Sequence, residues 1–183
     1  MPIDRDRLVR IFDQIGQKLA SPSTICIIGS APGIVSGQPE RQSQDIDVWR
    51  QRSDYDDTQF RCACEELGLL FDPQGEIDPK ATYVQIIQPG IVKLPRDFTI
   101  EVLGRYGALT VVMPEPALLS AAKLERGDQR DIEDVAWWVK ARALNLDDIR
   151  TAIESLPDQS QRETATENMI LVGLVARTGR EPK

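Results

Sequence analysis

Two short segments carry side chains whose types and spacing could do chemistry. The first is Gly29-Ser30, at the end of the apolar run Thr24 to Ile28. The second is Asp45-Ile46-Asp47-Val48-Trp49, after fourteen intervening residues. An apolar run stopped by Gly-Ser reads as a buried strand ending in a tight turn. The alternation of the second segment reads as another strand, in which residues two apart share a face. Asp45 and Asp47 would then project together while Ile46 and Val48 pack inward. Two carboxylates so close repel, and a divalent cation relieves the repulsion. Mg²⁺, or Mn²⁺ in its place, suits a pair of carboxylates best, because it fills its other positions with water and phosphate oxygens. Gly29 would let a phosphate approach the backbone, and Ser30 would add a hydroxyl. A phosphate cradle beside paired carboxylates is an arrangement for phosphoryl or nucleotidyl transfer. The loop lacks the Gly-Lys-Ser/Thr of a Walker A motif.

Composition narrows the alternatives. The 183 residues include no histidine, which removes Ser-His-Asp and Cys-His hydrolases, His-ligated zinc and any histidine base. The 22 basic and 29 acidic side chains leave a net charge of −7, which argues against generic DNA binding. Three cysteines, an odd number, suit a reduced compartment better than a disulfide framework. Cys62 and Cys64 lie in a helical-looking stretch and read, with Cys26, as buried structural thiols. No run approaches the ~20 apolar residues of a membrane span, and the N-terminus lacks a signal-peptide core. The expectation is a cytoplasmic protein with no membrane partner.

The elements that must position these residues follow from periodicity. Residues 4–20 read as an amphipathic helix carrying Leu8, Ile11, Phe12, Ile15 and Leu19. The segment 31–44 reads as loop with at most one helical turn, 57–70 as helix, and 71–79 as turns. Strands are predicted over 83–88 and 98–103, joined as a hairpin or meander through Pro89-Gly90 and Pro95, with a further run over 109–113. From Pro114 onward the pattern is helical, over 114–123, 129–143, 146–155 and 160–176. The fold class is α/β (α+β): a mixed sheet flanked by helices over 1–113, followed by a C-terminal helical bundle over 114–183.

The pattern IIGS…DIDVW resembles the signature of the nucleotidyltransferase superfamily related to DNA polymerase β. The later stretch MPEPALLSAAKLERGDQRDIEDVAWWV is similar to a segment of AbiEii-like toxins and of related bacterial nucleotidyltransferase-like proteins. The resemblance implies that Gly29 and Ser30 hold nucleotide phosphates and that Asp45 and Asp47 bind the metal. It implies a third carboxylate, for which Glu101 in FTIEVL matches best, alternating with Ile100 and Val102; Asp97 is the other option. It places Lys123 on the phosphates and Asp131 or Asp134 near the active site.

The implied reaction is Mg²⁺-dependent transfer of a nucleoside monophosphate from an NTP to a hydroxyl of RNA, a protein or a small molecule. Arg41, Arg50 and Arg52 could supply positive potential for triphosphate or RNA. Trp49 reads as core, with base stacking as the alternative. A second reading keeps the fold but not the turnover: a nucleotide-sensing or partner-binding module, such as one component of a toxin–antitoxin-type pair.

Overall fold

The computed structural model describes residues 2–90 and 92–178, the last three of these by backbone alone. The chain divides into two compact units, Met1–Val92 with Thr99–Pro114, and Lys93–Phe98 with Glu115–Lys183.

The first unit is a sheet with helices. Helix α1 (Arg5–Lys18) opens on Asp4, whose carboxylate accepts from the Arg7 amide, and buries Leu8, Ile11, Phe12 and Ile15. Strand β1 (Ser23–Cys26) leads through Ile27 and Ile28 into the short helix α2 (Ala31–Val35), and then β2 (Asp45–Trp49). A 3-10 turn (Arg50–Arg52) and helix α3 (Asp57–Glu66) precede the two-residue β3 (Leu70–Phe71) and β4 (Tyr83–Ile87). The hairpin of β5 (Ile100–Tyr106) and β6 (Leu109–Pro114) completes the unit.

The strands form two three-membered ladders, β1-β6-β5 and β2-β4-β3. Single antiparallel bridges, Ile27 to Val48 and Thr24 to Asp54, join them between β1 and β2. The order overturns the expected hairpin of the strands near 83 and 98. β4 runs parallel to β2, while β5 pairs antiparallel with β6 at the other end. Pro89-Gly90 marks a turn in sequence but does not pair the strands it separates.

Helix bounds shift modestly. The helix expected over 57–70 ends at Glu66, because Leu70 and Phe71 pair with β4 as β3. Cys26 and Cys64 are buried free thiols, whereas Cys62, expected inside, is exposed. Burial pushes the Cys26 and Cys64 thiols up to about 12, which keeps both in the unreactive thiol form.

The second unit is helical: α4 (Pro116–Arg126), α5 (Gln129–Ala141), α6 (Leu146–Glu154) and α7 (Gln159–Thr178). Pro116 opens α4, and Gly127, at φ +66°, closes it in the left-handed conformation. The Gly127 amide donates to the Lys123 carbonyl, and the Asn168 amide from α7 donates to the Leu124 carbonyl. Asp128 then caps α5 by accepting from the Asp131 amide. Trp138 is fully buried and packs edge-on against Trp137. No helix among the described residues is long and apolar enough to cross a membrane.

Candidate functional site

The backbone beyond β1 is tied on both sides. The Ile27 amide donates to the Val112 carbonyl and the Ile28 amide to the Asp47 carbonyl, at 2.8 and 3.0 Å. This ladder brings Gly29 against the Asp47 side chain. Glycine is required there on two counts. Its φ of +68° is left-handed, and a Cβ would stand 2.2 Å from Asp47 Oδ2. Ser30 precedes α2, half-buried, and its side chain makes no capping bond to the helix.

On β2 the expected alternation is observed. Ile46 and Val48 are buried, while Asp45 and Asp47 are half-buried on the other face. Asp45 is held at both oxygens: Ser43 Oγ donates to Oδ1 at 2.5 Å and Tyr83 Oη to Oδ2 at 3.3 Å. Tyr83 lies directly opposite Asp45 in the parallel register, and Gln85 opposite Asp47. Burial, then the nearby Asp45 charge, pushes the Tyr83 phenol up, so the hydroxyl keeps its proton. Trp49 is buried in the core rather than offered to a base. Arg50 is committed to its own surroundings: its guanidinium lies over the Tyr55 ring, donates to the Ser53 carbonyl and pairs with Asp57.

Glu101 does not join the pair. It sits on β5 opposite Met113, with β6 and β1 between β5 and β2. Three strand spacings amount to about 14 Å along the sheet. Its neighbours Ile100 and Val102 face outward rather than into the core, Val102 being 56% exposed. Among the described residues no group of three or more His, Cys, Asp or Glu side chains is assembled that could hold a metal.

In the second unit, Lys123, Asp131 and Asp134 do come together, but onto each other. Lys123 Nζ donates to Asp134 Oδ2 at 2.7 Å and to Asp131 Oδ1 at 3.2 Å, and all three residues are 2–3% exposed. Arg126, which sequence reasoning missed, donates twice to Asp131, through Nε at 3.0 Å and Nη2 at 2.8 Å. A buried ammonium closed onto two carboxylates has satisfied the charges that made it attractive to a phosphate. Ser43 and Tyr83 were also missed. Ser43 was discoverable, since a serine two residues before an aspartate readily bonds it. Tyr83 was not, because only the strand register brings it to Asp45.

A family model described as "Nucleotidyltransferase of unknown function (DUF6036)" matches residues 6–172. The chain belongs to this nucleotidyltransferase family. No curated protein matches the chain, and no solved structure does. The family match spans both the Gly29–Asp47 site and the buried Lys123 cluster, and it carries no particular closeness to AbiEii-like toxins.

For a nucleotidyltransferase, the donor set of the first unit is oxygen throughout, which suits a hard cation. Asp45 and Asp47 could each give one oxygen, leaving the remaining octahedral positions to water and phosphate. The Asp47 carboxylate occupies the space that a Cβ on residue 29 would need, so glycine there lets the turn and the carboxylate lie side by side.

Proposed function

We propose that this chain transfers a nucleoside monophosphate from an NTP to an acceptor hydroxyl, with Mg²⁺ or Mn²⁺ bound at Asp45 and Asp47. The acceptor oxygen forms a bond to the α-phosphorus, the bond from that phosphorus to the bridging oxygen breaks, and pyrophosphate leaves. The hydroxyl proton is lost to solvent. A divalent cation would supply charge neutralisation and a lowered acceptor pKa. The chain's own contribution is positional. Gly29 admits a phosphate to the backbone, and Ser30, free of capping duty, offers it a hydroxyl. Asp45 and Asp47 fix the cation relative to both. The observation that carries this reading is the contact of Gly29 with Asp47, which joins the phosphate-type turn to the carboxylate pair.

The test is incubation with each α-labelled NTP, Mg²⁺ or Mn²⁺, and candidate acceptors of the three classes. Labelled product is expected from the wild type and none from Asp45→Asn/Asp47→Asn. Undiminished transfer by that double variant, folded by circular dichroism, would overturn the assignment.

A second reading is favoured by the separation of Glu101 from the aspartates. A two-carboxylate site without a third acid suits a module that binds NTP and reports it to a partner protein, as in a toxin–antitoxin-type pair. Metal-dependent NTP binding with no product from any acceptor would select it.

A further inference from the structure

We propose that Tyr83 and Ser43 form a two-hydroxyl clamp that orients the Asp45 carboxylate for a divalent cation, making Tyr83 a positioning residue of the site. The proposal rests on the reading of Asp45 and Asp47 as cation ligands.

The geometry comes from two independent parts of the sheet. Ser43 is fixed by paired backbone bonds with Ile3, Ile3 N to Ser43 O at 2.6 Å and Ser43 N to Ile3 O at 3.1 Å. Ile3 is itself fully buried, so this anchor does not drift. From there Ser43 Oγ reaches Asp45 Oδ1. Tyr83 arrives by the β2–β4 register and reaches Oδ2. Each carboxylate oxygen has two acceptor directions. One on each is taken by a hydroxyl, which fixes the carboxylate plane, and one on each remains open. The Asp47 carboxylate lies beside the turn, its Oδ2 2.2 Å from where a Cβ on Gly29 would stand. Asp45 is therefore oriented before a cation arrives, which reduces the ordering cost of binding.

The hydroxyl of Tyr83 has little structural work to do. Val84 and Ile86 bury the opposite face of β4, and the backbone ladder holds the strand. Tyr83→Phe keeps the ring and the strand preference and removes only the donor.

The test measures Mn²⁺ affinity directly, by the electron paramagnetic resonance signal of free Mn²⁺, on the full chain without nucleotide. Metal-free melting temperature is recorded alongside. Outer hydroxyl partners of metal ligands are typically worth 10–100-fold in affinity. Tyr83→Phe is expected to weaken Mn²⁺ binding ~10-fold with the metal-free melting temperature unchanged. In a transfer assay the metal concentration for half-maximal rate should rise while the rate at saturating metal and KM for NTP hold. Ser43→Ala should weaken Mn²⁺ in the same direction, and it decides the matter if Tyr83→Phe does not fold. Wild-type affinity in both single variants overturns the clamp but leaves the site standing. Equal Mn²⁺ binding by the wild type and Asp45→Asn/Asp47→Asn, or none by either, overturns the site and the clamp with it.

Discussion

Gly29 carries two constraints that a single substitution violates together. Gly29→Ala places a Cβ in the left-handed region, at about 1–2 kcal/mol, and drives it into Asp47 Oδ2. The expected result is a lowered urea midpoint together with loss of metal binding, because Asp47 must move. Ser30→Ala makes the opposite case. Its side chain caps nothing, so stability should hold within ~0.5 kcal/mol while NTP affinity falls. Urea titration and an NTP-dependent melting shift, run on both variants, separate the two. A stable Gly29→Ala that still binds Mn²⁺ would contradict the close contact. At this scale the sequence was readable where the signal is local. The alternation of Asp45 and Asp47 and the Gly-Ser turn are patterns of neighbours. The roles of Tyr83 and Arg126 were not readable, because long-range register and a helix–helix turn place them.

The elements show the same division. Every helix of the second unit was visible as 3.6-residue periodicity, but the consequence of the Gly127-Asp128 turn was not. That turn folds α5 back so that Lys123, near the end of α4, meets Asp131 and Asp134 on α5. Lys123→Met should therefore act on stability, at about 3–5 kcal/mol, because Asp134 loses its ammonium in a buried site while Asp131 keeps only Arg126. Replacing the set together, as Lys123→Met/Asp131→Asn/Asp134→Asn, should recover much of that loss. Denaturant unfolding of the single and triple variants checks both. A Lys123→Met chain of undiminished stability but weakened NTP binding would instead restore the phosphate role implied by resemblance. Asp128 adds a pH dependence. Its carboxyl is held below the usual carboxylate range, first by the Asp131 backbone amide and then by Arg126 and Lys123 against a cost of burial. A depressed folded value means stability that is present above the unfolded pKa of about 4 and lost as pH falls through the folded one. Asp128→Asn, an equally good cap, should unfold at a similar urea midpoint at pH 7 and show a shallower decline between pH 5 and 2. The strands escaped the same kind of reading. Pro89-Gly90 suggested a hairpin, yet β4 and β5 find partners on opposite sides of β1 and β2, and the turn that does pair β5 is Gly107-Ala108, where Gly107 takes a φ of +57° and joins it to β6.

Over the whole molecule, charge bears on the acceptor. The net charge of −7 repels a polyanion, and a nucleic acid could be held only by a concentrated basic patch. Of the three arginines flanking the aspartates in sequence, Arg50 has its guanidinium spent on the Tyr55 ring, the Ser53 carbonyl and Asp57. The acceptor expected on this ground is a protein or small-molecule hydroxyl. RNA affinity measured against KCl provides the check. Single-stranded RNA should show no saturable binding at 150 mM KCl, and Arg41→Ala/Arg50→Ala/Arg52→Ala should leave the low-salt isotherm almost unchanged. An RNA acceptor would give a different result. Affinity would fall steeply with salt, and each arginine removed from a phosphate contact would flatten the log–log slope by ~0.7. A mononucleotide differs from RNA in this respect, since Mg²⁺ on its phosphates offsets its charge and binding would need no extended basic surface. A hundredfold excess of NTP and Mg²⁺ over Kd should stabilise the native chain by ~2.7 kcal/mol, a shift that Asp45→Asn/Asp47→Asn abolishes. Strong RNA binding without any NTP-dependent shift would mean that the acidic pair is not a nucleotide site at all.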